Sequence, residues 1–334
     1  ATGSNLLSLR TLDGQGRGTT SDTIAALDFL LSYGEYFNIK VVNLSIGKAI
    51  EESNQTDPLV LAVEQVWDAG MVVVVAAGNY GRDGHMTITS PGNSRKVITV
   101  GSLTDKGTGD DFGDDFVSTY SSSGPTLGDH VLKPDLVAPG NKVTATTSLG
   151  STLMNGLPDR IAKCRVIGTY CSGNYLELSG TSMATPMVAA AAALMLNKDA
   201  SLSPATVKAR LMRSARKIDA EPTSVGAGVL DVNAALNETG TISGQALSPL
   251  MLRLEKQAAI LVEDTANLWG DASWDAAYLW TDAYLWTDAY LWTDAYLWTD
   301  AYLWTDAYLW TDAYLWTDAY LWTDAYLWTD AYLW

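Results

Sequence analysis

The stretch from Gly180 to Leu196 constrains this chain more than any other. Gly180-Thr181-Ser182-Met183-Ala184-Thr185-Pro186 is a turn of mostly small residues, and the alanine-rich run Met187 to Leu196 continues from it without a charge. Alanine is the strongest helix former, so the run is predicted as a helix buried on all sides. The chain has 334 residues, 47% of them hydrophobic, enough to build a core around such a helix. The serine at its start would sit beside unpaired backbone N–H groups and the positive end of the helix dipole. Both features stabilise a developing oxyanion. An ordinary Ser/Thr cap uses the same residue types, and local chemistry leaves the two readings open.

Around this helix, strands and helices alternate. Asn5 to Leu12 alternates loosely and closes at Asp13-Gly14-Gln15-Gly16, which predicts a short strand and a turn. Ser21 is the expected cap of a helix whose apolar face carries Ile24, Leu27, Leu30 and Leu31. Val41 to Ile46 reads as a strand, and Asp57-Pro58 opens a helix with Leu59, Ala62, Val63 and Val66 on one side, ending near Gly70. Met71 to Ala77 is a continuous, valine-rich run, the pattern of a central parallel strand covered on both faces. Val97 to Val100 adds a strand, and Ser203-Pro204 opens a helix through Val207, Leu211 and Ala215. The alternation predicts an α/β domain with a parallel sheet, whose active residues gather at the carboxyl ends of strands. Ser45 and Asn79 both fall at such ends. Residues 238–274 read as a connector in which Ser248-Pro249 starts a helix through Leu252, Leu254 and Ile260.

Several segments, in order along the chain, resemble subtilisin-like serine proteases, the subtilases of peptidase family S8. Val41-Val42-Asn43-Leu44-Ser45-Ile46-Gly47 resembles the family's substrate-pairing strand, and Val73-Val74-Val75-Ala76-Ala77-Gly78-Asn79 its oxyanion strand and asparagine. Gly180 to Pro186 resembles its nucleophile motif. Ser121-Ser122-Ser123-Gly124-Pro125, Lys133-Pro134-Asp135-Leu136-Val137-Ala138-Pro139-Gly140 and the closing segment Gly226 to Ala235 resemble structural signatures of the same domain. The resemblance covers roughly residues 5–237. It implies a subtilisin-like α/β fold with a parallel sheet and helices on both faces. It implies Ser182 as nucleophile, with the Asn79 side-chain amide and the Ser182 N–H as oxyanion donors. It implies that Ser45, Ile46 and Gly47 pair with an extended substrate, while Ala76, Ala77 and Gly78 line the first specificity pocket. Small residues there leave room for a sizeable apolar side chain. Plain strand-end turns at Gly47 and Gly78, and a turn residue at Asn79, are the structural alternatives.

The family's Asp-Ser/Thr-Gly and His-Gly-Thr-His segments occur nowhere in these residues. The two histidines, His85 and His130, stand in turn-like contexts that do not match the family's base. A serine with oxyanion donors but no base keeps only a residual rate. In the family fold the strand bearing the Asp is central, and the His begins a helix packed on it. This chain starts just past that region, so residues 6–12 and 41–46 are expected to face each other across an unpaired gap. The expected partner is a complementary N-terminal fragment, left by cleavage ahead of Ala1, that fills the gap and brings both groups to peptide substrates. The alternative is a non-catalytic structural subunit that keeps the protease-like domain as scaffold.

Net charge is −17, unevenly placed. Residues 263–334 hold 13 acids and no Lys or Arg, leaving 25 acids against 21 basic residues in the rest. Such a tail argues against nucleic acid or an anionic membrane as partner. No apolar run is long enough for a transmembrane helix. Asp105, Asp110, Asp111, Asp114 and Asp115 read as a solvated acidic loop. Calcium is the alternative, although their spacing departs from an EF-hand. Cys164 and Cys171, seven apart, suit a small disulfide loop in an oxidising compartment or two free thiols, and they make a poor zinc site. The family resemblance places the protein outside the cell or at its surface.

From Thr281 to Trp334 the hexapeptide Thr-Asp-Ala-Tyr-Leu-Trp runs nine times without error, after the near-repeat Asp275 to Trp280. As an α-helix, a period of six would turn each Trp by about 240° and leave no apolar stripe. As a β-strand the even period keeps faces, with Asp, Tyr and Trp on one side and Thr, Ala and Leu on the other. The repeat lacks the Gly and Pro that sharp solenoid corners use, which favours strands pairing between molecules. A Trp/Tyr platform for polysaccharide is a further reading, and a disordered spacer fits poorly with the aromatic content. Residues 275–334 are therefore expected to drive self-assembly into an extracellular filament.

Overall fold

The computed structural model describes residues 3–108, 112–162, 175–253, 260–271 and 274. Residues 5–12, expected as a strand, form neither strand nor helix, and Leu6 is 94% exposed. Among the described residues no strand pairs with them, and a lone strand has no ladder to join. Helix α1 (Thr20–Tyr33) follows, and its cap is Thr19 rather than Ser21. Thr19 accepts from the Asp22 N–H while the Asp22 carboxylate accepts from the Thr19 N–H, a reciprocal box that outcompetes a cap two residues later. Strand β1 (Val41–Leu44), helix α2 (Pro58–Asp68, capped by Asp57) and strand β2 (Val72–Ala76) come next, close to the expected bounds.

Strands β3 (Ile98–Thr104), β4 (Phe116–Val117) and β5 (Leu136–Pro139) complete the sheet. β1, β2, β3 and β5 run parallel, while β4 is antiparallel, so the sheet is mixed. Carbonyl direction alternates along a strand, which sorts the neighbours of β3. The Val100 and Ser102 carbonyls bond Ala77 and Ser118, whereas those of Thr99 and Leu103 bond Asp135 and Gly140. β2 and β4 therefore lie end to end along one edge of β3, and β5 takes the other. The five β2 residues are all buried, so both faces of the sheet are covered. β1 is paired on one edge only among the described residues.

Strands β6 (Val143–Thr146) and β7 (Tyr175–Leu178) form a small antiparallel pair, with the short helix α3 (Thr152–Gly156) between them in sequence. Helix α4 (Thr181–Lys198) forms where predicted but is not buried on all sides, since Pro186, Met187 and Leu194 are exposed. Its Ala184, Val188, Ala191, Ala192 and Met195 join the core formed by the sheet valines. Helices α5 (Pro204–Arg213), α6 (Pro222–Val225) and α7 (Val232–Asn237) close the region resembling subtilases.

Described residues after Asn237 pack against α5. The helix expected from Ser248 is instead a hairpin, β8 (Met251–Arg253) against β9 (Ile260–Val262), followed by helix α8 (Thr265–Trp269). Ser248 is drawn into a buried polar cluster instead of a cap: its buried hydroxyl donates to Asp135 Oδ1 at 2.6 Å and accepts from Lys208 Nζ at 2.8 Å. Trp269 and Trp274 are fully buried against Ala205, Ala209 and Met212 of α5, with Met251 and Val262. Asp135 also accepts from Lys133 Nζ at 2.7 Å and from the Thr99 N–H at 2.7 Å, and Lys208 Nζ lies 3.2 Å away. Lys208 Nζ donates to the carbonyls of Arg95, Lys96 and Val97 as well. Burial pulls the Lys208 ammonium down to about 7, against the attraction of Asp135. The hexapeptide repeat and both cysteines lie outside the described residues.

Candidate active site

Ser182 stands in the first turn of α4, where backbone N–H groups have no intrahelical acceptor. The Gly180 N–H donates to the Gly140 carbonyl at 2.9 Å, which seats the turn leading into the helix. One residue on, the Thr181 N–H donates to Asn79 Oδ1 at 2.9 Å, and Thr181 Oγ1 lies 3.2 Å from the same oxygen. A backbone N–H can only donate, so the amide oxygen of Asn79 must face Thr181. Its Nδ2 is left as the outward donor. A side-chain carbon built on Gly180 would lie 3.5 Å from that Nδ2. Asn79 is thus held beside the nucleophile turn by its acceptor end, with its donor end available.

Gly78 makes this approach possible. Its φ is +112°, and a Cβ there would lie 2.7 Å from Ser122 Oγ and 2.9 Å from Thr89 Cγ2. Thr181 Oγ1 accepts from the Gly78 N–H at 3.3 Å, tying the end of β2 to the start of α4. Ala76 and Ala77 are buried, and the Ala77 carbonyl accepts from the Thr89 N–H at 3.0 Å. The Thr89 side chain also crowds Gly47, where an added Cβ would meet Thr89 Oγ1 at 2.5 Å. Thr89 therefore joins the Ser45–Gly47 side of the site to the Ala76–Gly78 side.

Ser45 and Ser182 meet directly. Ser45 Oγ donates to the Ser182 carbonyl at 3.0 Å, and Ser182 Oγ donates to the Ser45 carbonyl at 3.4 Å. Ile46 and Gly47 continue along the same margin, partly and fully exposed. Among the described residues no imidazole accepts from Ser182. His85 Nδ1 lies 2.8 Å from Ser123 Oγ and 3.2 Å from the Gly124 carbonyl, with Nε2 3.4 Å from Glu221. Burial holds the His85 imidazole below its ordinary pKa, against the pull of Glu221. The His130 N–H donates to the Thr126 carbonyl at 3.0 Å, closing a turn, and the His130 carbonyl accepts from the Met251 N–H at 2.9 Å.

Asp115 pairs with Arg216 at 2.5 Å, Asp114 accepts from Thr108, and Asp105 accepts from the Gly107 N–H. Asp110 and Asp111 lie outside the described residues, and among those described no three metal-ligating side chains converge. The sequence reading left Thr181 and Thr89 without a role. Thr181 was visible only as a β-branched neighbour of Ser182, and Thr89 carries no local signal, because its contacts are made across the fold.

The chain belongs to the subtilase family, whose family-level comparison matches residues 1–229. Serine protease AprX of Bacillus subtilis (strain 168) is 40% identical over 247 residues, covering 72% of this chain and 52% of AprX. Subtilisin DY of Bacillus licheniformis is 30% identical over 232 residues, 69% of this chain and 68% of that protein. Fervidolysin from Fervidobacterium pennivorans, a keratinolytic enzyme related to subtilisin, shares the fold with a TM-score of 0.52 at 23% identity. That match covers 67% of this chain and 30% of fervidolysin. The chain thus spans about half the length of AprX.

Proposed function

We propose that this chain supplies the nucleophile and oxyanion half of a secreted serine endopeptidase. The observation that carries the reading is the anchoring of Asn79 Oδ1 on the Thr181 N–H, beside Ser182 in the first turn of α4. In this reading Ser182 Oγ attacks the peptide carbonyl and its proton passes to an imidazole. The new oxyanion is met by Asn79 Nδ2 and the Ser182 N–H at the positive end of the helix dipole. Substrate lies along Ser45–Gly47, with its side chain over Ala76–Gly78. The Asp and His come from a complementary polypeptide segment that carries those motifs, and the unpaired edge of β1 is where its strand adds. The repeat at 281–334 then links copies of the protein into an extracellular filament.

The repeat at 281–334 favours one second reading, a structural fibre subunit that retains the protease-like domain as scaffold. The two separate by mixing this chain with a polypeptide bearing Asp-Ser-Gly and His-Gly-Thr-His segments and following hydrolysis of a short peptide. The protease reading expects turnover that Ser182→Ala abolishes. A stable complex without turnover selects the scaffold reading.

A further inference from the structure

Gly180 takes its position from one carbonyl, that of Gly140 at the end of β5. The same oxygen accepts a second hydrogen bond, from the Tyr120 hydroxyl at 3.1 Å. Tyr120 OH in turn lies 2.9 Å from Ser102 Oγ, which lies 3.1 Å from Ser118 Oγ, which lies 2.9 Å from Thr104 Oγ1. Ser102, Ser118 and Thr104 are buried, so water does not compete for these bonds. A carbonyl can only accept, and this fixes the direction of the whole chain. Tyr120 donates to Gly140 and accepts from Ser102, Ser102 accepts from Ser118, and Ser118 accepts from Thr104. Each donor is polarised by the one behind it.

The Gly140 position has no slack. A Cβ there would collide with Ser102 Oγ and would approach the Gly180 carbonyl to 2.8 Å and Ala184 Cβ to 3.0 Å. The carbonyl therefore holds its place against both the nucleophile turn and the first turn of α4. Ser179 adds a second tie between the same turns, accepting from the Lys142 N–H and donating to Asn141 Oδ1, both at 2.9 Å. Of these anchors, the Tyr120 hydroxyl is the one that bonds the Gly140 carbonyl itself, and Tyr120→Phe removes it while keeping backbone and ring. We infer that Tyr120 is a positioning residue for Ser182, acting through the Gly140 carbonyl and the Gly180 N–H. This rests on Ser182 being the nucleophile. A nucleophile must be placed to a fraction of an ångström, and small displacements lower the rate without weakening substrate binding.

The test is Tyr120→Phe in the full chain, assembled with the segment bearing Asp and His. Peptide kinetics and hydrogen exchange at the Gly180 amide are measured together. The inference expects kcat to fall about five- to ten-fold with KM unchanged, the size of one lost hydrogen bond, and Gly180 exchange to accelerate. Thr104→Val, at the far end of the hydroxyl chain, should produce a smaller loss of the same kind. Faster Gly180 exchange with unchanged kcat makes Tyr120 a structural clip only and overturns the inference. Unchanged exchange and unchanged kcat overturn it while leaving the nucleophile reading intact. An unsubstituted assembly that neither turns over peptide nor labels at Ser182 overturns both.

Discussion

Asp135→Asn is the substitution that most sharply tests how the domain and its C-terminal segment hold together. Asp135 is fully buried and accepts from Lys133, Ser248 and the Thr99 N–H at 2.6–2.7 Å, with Lys208 at 3.2 Å. Burial pushes the carboxyl up, yet Lys133, Lys208 and Ser248 outweigh it and hold the group ionised below its ordinary range. Neutralising it leaves two buried ammonium groups without their counter-charge. Breaking a buried pair in this way costs about 3–5 kcal/mol. Against a typical total of about 5–15 kcal/mol that is a large share, and it should lower Tm by roughly 6–20 °C. The deficit should shrink as pH rises from 7 towards 10. Burial already lowers both lysines in the parent, Lys208 to about 7, and without Asp135 they fall further; the folded variant therefore holds fewer protons than the folded parent near pH 7, and its stability climbs faster with pH. Ser248→Ala should be destabilising alone and much less so in the variant background, because the two groups share one interaction. Calorimetry from pH 7 to 10 on the four proteins measures all of this. An Asp135→Asn protein melting within 1–2 °C of the parent at pH 7 would refute the reasoning.

Three further outcomes follow from the site and the sequence. Asn79→Asp keeps the acceptor for the Thr181 N–H and removes the Nδ2 donor. In the assembled enzyme kcat should fall roughly a hundred- to a thousand-fold while Tm moves little, a magnitude known from another subtilase. His85, held neutral by burial, must take up a proton on unfolding once pH falls below the ordinary 6.5, so stability should decline from there downward. His85→Gln should flatten that decline in a Tm series from pH 7.5 to 5, with His130, also lowered by burial, supplying the remainder. Deleting residues 275–334 should abolish filaments in electron micrographs and leave a folded domain that sediments as a discrete species.

What could be read in advance follows the range of the interactions. α2, α5, β2 and α4 are locally encoded: Asp57-Pro58 and Ser203-Pro204 announce helix starts, and the valine run and alanine run each satisfy one pattern only. α1 was legible but its start was not, because Thr19 and Asp22 form a box with an aspartate in place of the usual glutamate. The strand expected over residues 5–12 depended on a neighbour, which no local alternation can supply. The paired strands at 251–253 and 260–262 read as a helix because Leu252 and Ile260, eight apart, fit one helical face, while the deciding fact, Ser248 inside the Asp135 cluster, spans more than a hundred residues. Ser182, Asn79 and the Ser45–Gly47 and Ala76–Gly78 segments were placed by family resemblance, and the fold brings them together. Thr181 stood in the motif with no role legible from it, and Thr89 and Tyr120, whose contacts are made across the fold, left no mark in the sequence pattern.

The claim on which the account turns is that Ser182 is an activatable nucleophile. Its most direct measurement is treatment of native material with a fluorophosphonate, followed by intact mass and peptide mapping. Material that contains the Asp- and His-bearing segment should gain one adduct, on Ser182, and material lacking it should gain none. An assembled preparation that carries both segments and leaves Ser182 unmodified would contradict the account and assign the domain to scaffold.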